Sequence, residues 1–340
     1  MSTMHDIARK VGVSQSTVSR VLSGGTVPFS ISQETREKIL KTADSLGYRI
    51  DPLARAMRGK SNRVIGVIAR SFDGVFLPYL TSELARRFRS NGYDIILSAA
   101  ANDPDETLRL QTLFETQFCD GLILAADPFG FSETQTQAIL NSKHLVMTAW
   151  GSPVGDIPMV NTDNRLGARQ AMEHLLGLGH QRIAFLDIGW SGDAIVRRET
   201  YIDMMNQAGL DYGAYLLTAV AGMTDGYQAT QHLLDLDAPP TAIFAAEDFL
   251  AFGALKAAYD RGISIPRELS VVGFDDHPYA EYSVPALTTV RQPIHAITDY
   301  TCELLLRLIR EEPVTMDERQ ALLPPEFIIR ESTAPPNTDL

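Results

Sequence analysis

The sequence predicts a small all-α module at the amino terminus, followed by an α/β body made of two parallel-sheet lobes. Apolar residues recur at helical spacing up to Tyr48, whereas from Val64 onward short apolar strands alternate with helices. Such alternation gives parallel sheets that are covered by helices. Because a body of about 270 residues is large for one core, we expect it to divide into two similar lobes.

The segment 3–22 predicts two short helices joined by a tight turn. Thr3 and Asp6 have the spacing of a capping box at the start of the first helix. Gly12 ends that helix, and Ser14 is a suitable N-cap for the second. The apolar residues expected on the buried faces are Ile7, Ala8, Val11, Val18, Val21 and Leu22.

The outward face of the second helix carries hydrogen-bonding side chains, with Gln15 in the first turn and Ser16 and Arg20 one turn apart. This matches a helix-turn-helix, whose second helix enters the major groove of DNA by its N-terminal end. Gln can pair with adenine and Arg with guanine through two hydrogen bonds each. An ordinary helical hairpin with a solvated polar face is the alternative.

A third helix is expected after the loop that follows Leu22, with Ser32 or Ser30 as its N-cap and Gly47 as its stop. Its apolar stripe is formed by Ile39, Leu40, Ala43 and Leu46. Three helices around one apolar centre would make a complete small module.

The segment 51–60 is a candidate for a short cationic helix that folds only on DNA. It begins with an Asp-Pro pair suited to a helix start, but about two turns of helix are too short to be stable alone. Arg55 can contact phosphate, and the apolar Met57 could wedge between base steps in the minor groove. A plain interdomain linker is the alternative.

The charge distribution favours DNA as a partner of the amino-terminal end. Residues 1–60 contain ten Lys and Arg against five Asp and Glu, a net charge of +5, although the whole chain carries −12. The remainder therefore carries −17. A basic end on an acidic body directs one end of the molecule at phosphates.

The body is expected to contain nine strands and six helices. The predicted strands are 64–69, 95–98, 121–125, 145–147, 159–160, 183–186, 214–220, 242–245 and 269–273. The predicted helices are 79–91, 103–118, 164–177, 194–207, 225–236 and 249–261. Ligands of such folds bind at the carboxyl ends of the strands, here in the cleft between the lobes.

Several functional classes find no support in the sequence. It has no apolar run of about 18 residues for a membrane span, and its amino terminus lacks the apolar core of a secretory signal. We expect a cytoplasmic protein with Cys119 and Cys302 as reduced thiols. We expect neither metal nor cofactor, because His174 and His180 lack ligand context and no catalytic triad can be argued.

The chain resembles the LacI/GalR family of transcription regulators over nearly its whole length. The motifs that carry the resemblance, in chain order, are HDIARKVGVSQSTVSRVL, DPLARAMRGK, DNRLGARQAMEHLLGLGHQRIAFL, AFGALKAAYDRGISIPRELSVVGFDD, PALTTVRQP and EFIIREST. The resemblance implies a dimeric, effector-controlled repressor whose body is periplasmic-binding-protein-like. Its partners would be a near-palindromic operator DNA and a small effector, a sugar or a sugar derivative.

The resemblance also implies residue roles. Gln15, Ser16 and Arg20 match base-reading positions, Thr17 and Ser19 match phosphate contacts, and Met57 matches the minor-groove wedge. The positions that match the effector pocket are Ser71, Phe72, Phe76, Asp163, Arg197, Asp248 and Asp275. Glu247 replaces the family's usual Asn, and the aromatic residue that often stacks on the sugar is missing, with Met223 or Trp150 as substitutes. We expect Asp276 to have a structural role.

The expected domains are a helix-turn-helix DNA-binding domain at 1–48, a hinge-helix linker at 49–62 and a two-lobed effector-binding and dimerisation domain at 63–333. Lobe 1 is expected at about 63–163 and 293–322, lobe 2 at about 164–291 and 324–333, and a disordered tail at 334–340. A sugar-binding receptor without DNA regulation is the alternative function, and an enzyme acting on sugars is the third.

Overall fold

The computed structural model describes residues 3–22, 31–48, 61–70, 76–101, 103–117, 119–125, 131–148, 153–189, 192–218 and 222–337. The chain folds as two compact units, Met1–Asn62 and Arg63–Leu340. Five residues with predicted roles, Arg55, Met57, Ser71, Phe72 and Trp150, lie outside the described residues.

The described residues of the first unit form three helices, α1 (Met4–Val11), α2 (Gln15–Leu22) and α3 (Gln33–Ser45). The predicted capping box is confirmed, since the Thr3 hydroxyl accepts from the Asp6 amide and the Asp6 carboxylate accepts from the Thr3 amide at 2.9 Å. Ser14 caps α2 by accepting from the Thr17 amide at 3.1 Å. The small core consists of Ile7, Ala8, Val18, Val21, Ile39 and Ala43.

Ser32 is the N-cap of α3, as predicted, and its hydroxyl accepts from the Thr35 amide. The prediction that Leu40 is buried is wrong, because its side chain is 48% exposed. Ile39 and Leu40 are about 100° apart around a helix, so their side chains point in different directions and only that of Ile39 faces the core. Ile39 is fully buried.

The first lobe of the body contains a six-stranded parallel sheet. In the order in which they lie in the sheet, its strands are β11 (Gln320–Leu323), β5 (Met159–Thr162), β4 (Leu145–Thr148), β3 (Gly121–Ala125), β1 (Val64–Ala69) and β2 (Asp94–Ala99). Its helices are α4 (Phe76–Ser90), α5 (Pro104–Gln117), α6 (Glu133–Leu140), α11 (Ile294–Ile309) and the short α12 (Met316–Arg319). Separate apolar clusters cover the two faces of the sheet.

The second lobe contains a four-stranded parallel sheet in the order β7 (Leu216–Leu217), β6 (Ile183–Leu186), β8 (Ala242–Ala245) and β9 (Ser270–Val272). Its helices are α7 (Asn164–Gly177), α8 (Gly192–Gln207), α9 (Gly222–Leu234) and α10 (Asp248–Asp260). An antiparallel pair, β10 (Thr289–Arg291) and β12 (Glu326–Ile328), lies beside this sheet. The chain passes between the lobes after β5, after β10 and after β11.

Several predicted elements need correction. Within 214–218, the described part of the strand predicted at 214–220, only the two residues of β7 form a strand, and Ala214 and Tyr215 lie in a turn. Helix α4 begins at Phe76 instead of Tyr79. Pro78 is compatible with this start because the first turn of a helix does not need its amide. Helices α6, α11 and α12 and strands β10 to β12 were not predicted.

The carboxyl-terminal segment is held against the second lobe by two histidines. His174 bonds to the Thr333 hydroxyl at 2.9 Å, and His180 bonds to the Ala334 carbonyl at 2.9 Å. The Ser270 hydroxyl bonds to the backbone of Ala334 as well. Ala334, the first residue of the predicted disordered tail, is therefore anchored to the body.

Cys119 and Cys302 carry free thiols. Burial, together with a nearby aspartate in each case, raises the pKa of these thiols to about 12 and about 11. Neither is a ready nucleophile, since the thiolate is the reactive form. Within the described part of the chain, no helix is both long enough and apolar enough to cross a membrane.

Candidate functional site

Helix α2 presents one polar face and buries the other. Val18 and Val21 pack into the core of the first unit, whereas Gln15, Ser16 and Arg20 are exposed on the outer side. The Ser14 hydroxyl bonds to those of Ser16 and Thr17, at 2.7 and 2.8 Å. The first turn of α2 contains no acidic residue that would oppose a phosphate at the positive end of the helix.

A cavity of about 280 Å³ lies where the two lobes meet. The first lobe contributes side chains from the starts of α4 and α11, and the second lobe contributes the segment that follows β9. The residues that line it are Phe76, Tyr79, Asp275, Asp276, His277, Pro278, Arg291, Gln292, Ile294 and His295. Phe76 and Asp275, two predicted effector positions that are far apart in sequence, are thus brought to one cavity.

Asp275 is positioned by groups from both lobes. Its backbone amide donates to the Val290 carbonyl, and its carboxylate accepts from the Gln292 side chain at 2.6 Å. Gln292 in turn accepts from the Thr162 hydroxyl of the first lobe at 2.6 Å. Asp275 has a φ of +122°, a conformation that L residues rarely adopt and that is concentrated at functional sites.

Arg197 lies buried on α8 beside Asp275, with an Nη1–Oδ1 distance of 3.9 Å. Its Nε donates to the Asn164 side chain at 2.8 Å, and Nη1 donates to the Ala246 carbonyl at 2.5 Å. The guanidinium carbon lies 3.5 Å from the centre of the Phe274 ring. Arg197 is therefore held in place by the protein before any ligand arrives, as precise recognition of a ligand requires.

Asp193 was missed by the sequence analysis. It is buried in the first turn of α8, and its Oδ1 accepts from the Asn161 and Asn164 side chains at 2.8 and 2.9 Å. An acidic residue in the first turn of a helix is common, so the sequence gave no signal that this one faces the lobe junction.

Glu247 follows β8 and precedes α10. One carboxylate oxygen accepts from the Gly222 amide, at the start of α9, at 3.1 Å. Burial raises the pKa of this carboxyl, against the opposing effects of the Gly222 amide and the positive charges of Arg197 and Arg70.

The carboxylates of two predicted effector residues accept hydrogen bonds from other groups of the protein. Asp248 is buried, and its oxygens accept from the Thr289 hydroxyl and the His277 amide, both at 2.6 Å. Asp163 is the N-cap of α7 and accepts from the Leu166 amide at 2.9 Å. Both residues position elements at the lobe junction, and a direct contact of either with an effector remains a prediction.

Asp276 has the structural role that was expected. Its two carboxylate oxygens each form an ion pair of 2.6 Å, with Arg291 and with Arg330. These contacts tie the segment after β9 to β10 and to the segment after β12.

His277 is a second lining residue that was not predicted. The residue is only 7% exposed, and its ring packs against the rings of Phe249, Phe252 and Tyr279. Nδ1 accepts from the Tyr279 amide at 2.9 Å, so the neutral ring carries its proton on Nε2. Among the described residues this Nε2–H has no hydrogen-bond partner.

The carboxyls at the lobe junction titrate abnormally. Burial raises the pKa of Asp275 to about 7, with Arg197 opposing the shift and Glu247 and Asp193 adding to it. Burial also raises the pKa of Asp193 and, together with the charge of Asp275, that of Asp248. Of these three residues Asp275 lines the cavity, and a group with a perturbed pKa in a cavity is characteristic of a functional site.

Comparisons with known proteins agree with this architecture. Residues 3–51 match the model of bacterial regulatory proteins of the lacI family, and residues 172–333 match that of the periplasmic binding protein-like domain. Catabolite control protein A of Priestia megaterium is 30% identical over 97% of this chain and 99% of its own.

Two solved structures are similar over the full length of the chain. The lac repressor dimer bound to operator and the anti-inducer ONPF is 25% identical, with a TM-score of 0.86, covering 98% of this chain and 99% of the other. The complex of the transcriptional regulator CelR with cellobiose is 25% identical, with a TM-score of 0.70, covering 98% and 100%.

The chain belongs to the LacI family of bacterial regulatory proteins. It is a DNA-binding transcription regulator with a helix-turn-helix unit and a two-lobed effector-binding body. The relatives described above are regulators and not enzymes.

Proposed function

We propose that this protein is a cytoplasmic repressor that binds a near-palindromic operator as a homodimer and releases it when a small carbohydrate-like effector occupies the lobe junction. The observation that carries the proposal is the polar outer face of α2, opposite a fully apolar inner face. A two-fold dimer would place two such helices in successive major grooves. The protein would act without catalysing a reaction.

In this proposal some residues of α2 contact bases and others contact phosphates. Gln15, Ser16 and Arg20 contact base edges, and Thr17 and Ser19 contact phosphates at the start of the helix. Arg55 and Met57 act in the linker, where Met57 enters the minor groove.

The effector-binding role is supported by the polar groups around the cavity. Asp275 and Arg197 can accept and donate paired hydrogen bonds to adjacent hydroxyls, and Phe76 supplies an apolar wall. We place Asp163 and Asp248 at the edge of this site as positioning residues, with Ser71 and Phe72 as further contacts. The relative whose complex contains cellobiose supports a sugar or sugar derivative as the ligand class.

The proposed coupling depends on hydrogen bonds that cross the junction. The Thr162 hydroxyl of the first lobe donates a hydrogen bond to the Gln292 side chain, and Gln292 donates one to the carboxylate of Asp275 in the second lobe. A ligand that binds Asp275 competes for these bonds and so favours one arrangement of the lobes over another. Effector and operator then oppose each other through one equilibrium.

The experiment that tests the DNA-binding role is selection of binding sites from random duplex DNA with full-length protein. The proposal predicts enrichment of a near-palindromic sequence. Enrichment of no sequence would contradict it, and enrichment of an asymmetric single half-site would contradict the dimeric arrangement.

A further inference from the structure

A hydrogen bond between Asn161 and Asp193 joins the two lobes directly. Nδ2 of Asn161, on β5 of the first lobe, donates to Oδ1 of Asp193, on α8 of the second lobe, at 2.8 Å. Both residues are buried, with 2% of Asn161 and 8% of Asp193 exposed. A buried hydrogen bond is costly to break when its donor and acceptor are left without new partners. The bond therefore favours the arrangement of the lobes in which these two side chains meet.

Each partner of this bond is also held within its own lobe. Oδ1 of Asn161 accepts from the Thr162 amide at 2.8 Å, which fixes the orientation of the side-chain amide and directs Nδ2 toward Asp193. Oδ1 of Asp193 accepts a second hydrogen bond, from Nδ2 of Asn164, at 2.9 Å. Because both side chains are fixed by these additional bonds, the contact between the lobes belongs to a buried network and not to an isolated pair.

Asn164 connects the network to the predicted effector residue Arg197. Nδ2 of Asn164 donates to Asp193 and, at 3.2 Å, to the Thr162 carbonyl. Its Oδ1 accepts from Nε of Arg197 at 2.8 Å. The reversed amide would set its N–H groups against the donor of Arg197 and would leave Asp193 without this partner. Asp193 therefore helps to set the orientation of the amide that positions Arg197.

We propose that Asp193 is a positioning residue of the regulatory mechanism, which through Asn161 holds the lobes in the arrangement that binds operator. This inference rests on the proposed function, in which the effector opposes the operator by competing for hydrogen bonds at the lobe junction. A ligand that displaces Arg197 draws Asn164 away from Asp193. The bond across the junction is then weakened, and the equilibrium shifts toward the other lobe arrangement.

Asp275 makes a different contribution to the junction. It reaches the first lobe through Gln292, whose side chain accepts from the Thr162 hydroxyl. Removal of Asp275 leaves both the Thr162–Gln292 bond and the Asn161–Asp193 bond in place. Loss of Asp275 should therefore affect the response to effector, whereas loss of Asp193 should change operator binding in the absence of effector.

A purely structural role for Asp193 is the alternative. An acidic residue in the first turn of a helix stabilises the helix, because it lies near the positive end of the helix dipole. Such a role affects the stability of the body but not the equilibrium between lobe arrangements. Operator affinity distinguishes the two roles, since it falls in proportion to the fraction of protein in the binding arrangement.

The test compares operator affinity and thermal unfolding of full-length variants, with no sugar added and with the operator selected from random DNA. Asp193→Ala should weaken operator binding by at least about fivefold, the low end of typical allosteric coupling. Asp203→Ala removes the same side chain from an exposed position on α8 and should leave operator affinity unchanged. Operator binding by Asp193→Ala that is unchanged or tighter, whatever its melting temperature, would overturn the proposal.

Asn161→Ala breaks the same bond from the first lobe and leaves α8 unaltered, so it tests the proposal even if Asp193→Ala does not fold. It should weaken operator binding to a similar extent, and an unaltered affinity would contradict the proposal. In the double variant the two losses should not add, because either substitution alone removes the bond. Additive losses would show that the two residues act separately, which would also overturn it.

The proposed function and the role of Asp193 can fail separately. If the full-length protein selects no operator, the proposed function itself fails. If it selects an operator that the variants of Asp193 and Asn161 bind as tightly as wild type does, the regulator function stands and the role of Asp193 is wrong.

Discussion

Individual side chains account for most of the expected specificity, and Arg20 is the clearest case on the DNA side. It is exposed on α2 opposite the buried Val18 and Val21. Arg20→Ala should lower affinity for the selected operator by roughly 10- to 100-fold, as the loss of one paired contact to a base does. Affinity for random DNA should change by less than about threefold, because phosphate contacts remain.

Arg9 offers a matched control for this measurement. It is an exposed cation on α1 that forms an ion pair with Asp6. Arg9→Ala removes the same charge and should affect operator and random DNA equally. If Arg20→Ala also weakened binding to all DNA equally, its role would be electrostatic and not base reading.

Asp275 is the corresponding residue in the effector site. Asp275→Ala should abolish the effect of the ligand on operator affinity while operator binding alone stays within about threefold of wild type, because this acid lies in the body. Anisotropy titrations of labelled operator, with and without the ligand found by thermal shift, measure both quantities. A normal ligand response in the variant would place the effector elsewhere.

Some residues of the effector site could be predicted from the sequence, and others could not. Asp275 was predicted from a motif that resembles the family and Arg197 from a position that matches the family's effector pocket, and the structure places their Oδ1 and Nη1 atoms 3.9 Å apart. Asp193 and His277 could not be predicted, since an acid in a first helical turn and a lone histidine are common. Their importance depends on burial and on contacts between residues distant in sequence, which no local pattern encodes.

At the scale of elements, helices with strong end signals were predicted well. The bounds of α7 and of strands β1, β3, β6 and β8 agree with the predicted ranges. Strand β7 was overestimated, because a run of apolar residues between turns does not distinguish a strand from a partly buried loop. Helix α11 was not predicted, although its buried face is strongly apolar.

The linker 51–60 can be tested as an element although it lies outside the described residues. Met57→Glu should abolish operator binding, because a charged side chain cannot replace an apolar wedge between base steps. Met57→Leu preserves the apolar wedge and should retain binding within about threefold. Both variants should bind the effector normally, and unaltered operator affinity in Met57→Glu would refute the wedge.

The carboxyl-terminal segment should make the body sensitive to acid through His180. Burial lowers the pKa of His180 in the folded protein below its ordinary value of 6.5. Protonation therefore favours the unfolded state. The stabilising contribution of the neutral ring is fully present above the ordinary value of 6.5 and is lost as the pH falls from there to the lower pKa of the folded protein.

Thermal unfolding of wild type and of His180→Gln at about pH 7.5 and about pH 5.5 measures this contribution. The variant should be less stable than wild type at the higher pH, and its melting temperature should fall less on acidification. An identical fall in both proteins would show that other groups cause the acid sensitivity.

At the scale of the whole molecule, the chain combines a positively charged DNA-binding end with an acidic ligand-binding body. The charge difference and the strand–helix alternation were enough to predict both parts. The lobe junction was beyond prediction in detail, because it is assembled from three separate crossings of the chain between the lobes. Thr162, Asn164 and Gln292 lie at two of these crossings, and their side chains connect the lobes around Asp275 and Arg197.

The central claim is that binding of an effector at the lobe junction controls the affinity of α2 for operator DNA. The most direct test is the affinity of full-length protein for its selected operator, measured by fluorescence anisotropy at zero and at saturating effector. The account predicts that saturating effector weakens operator binding by at least about fivefold, within the range of typical allosteric coupling. An operator affinity that is the same with the junction empty and occupied would contradict it.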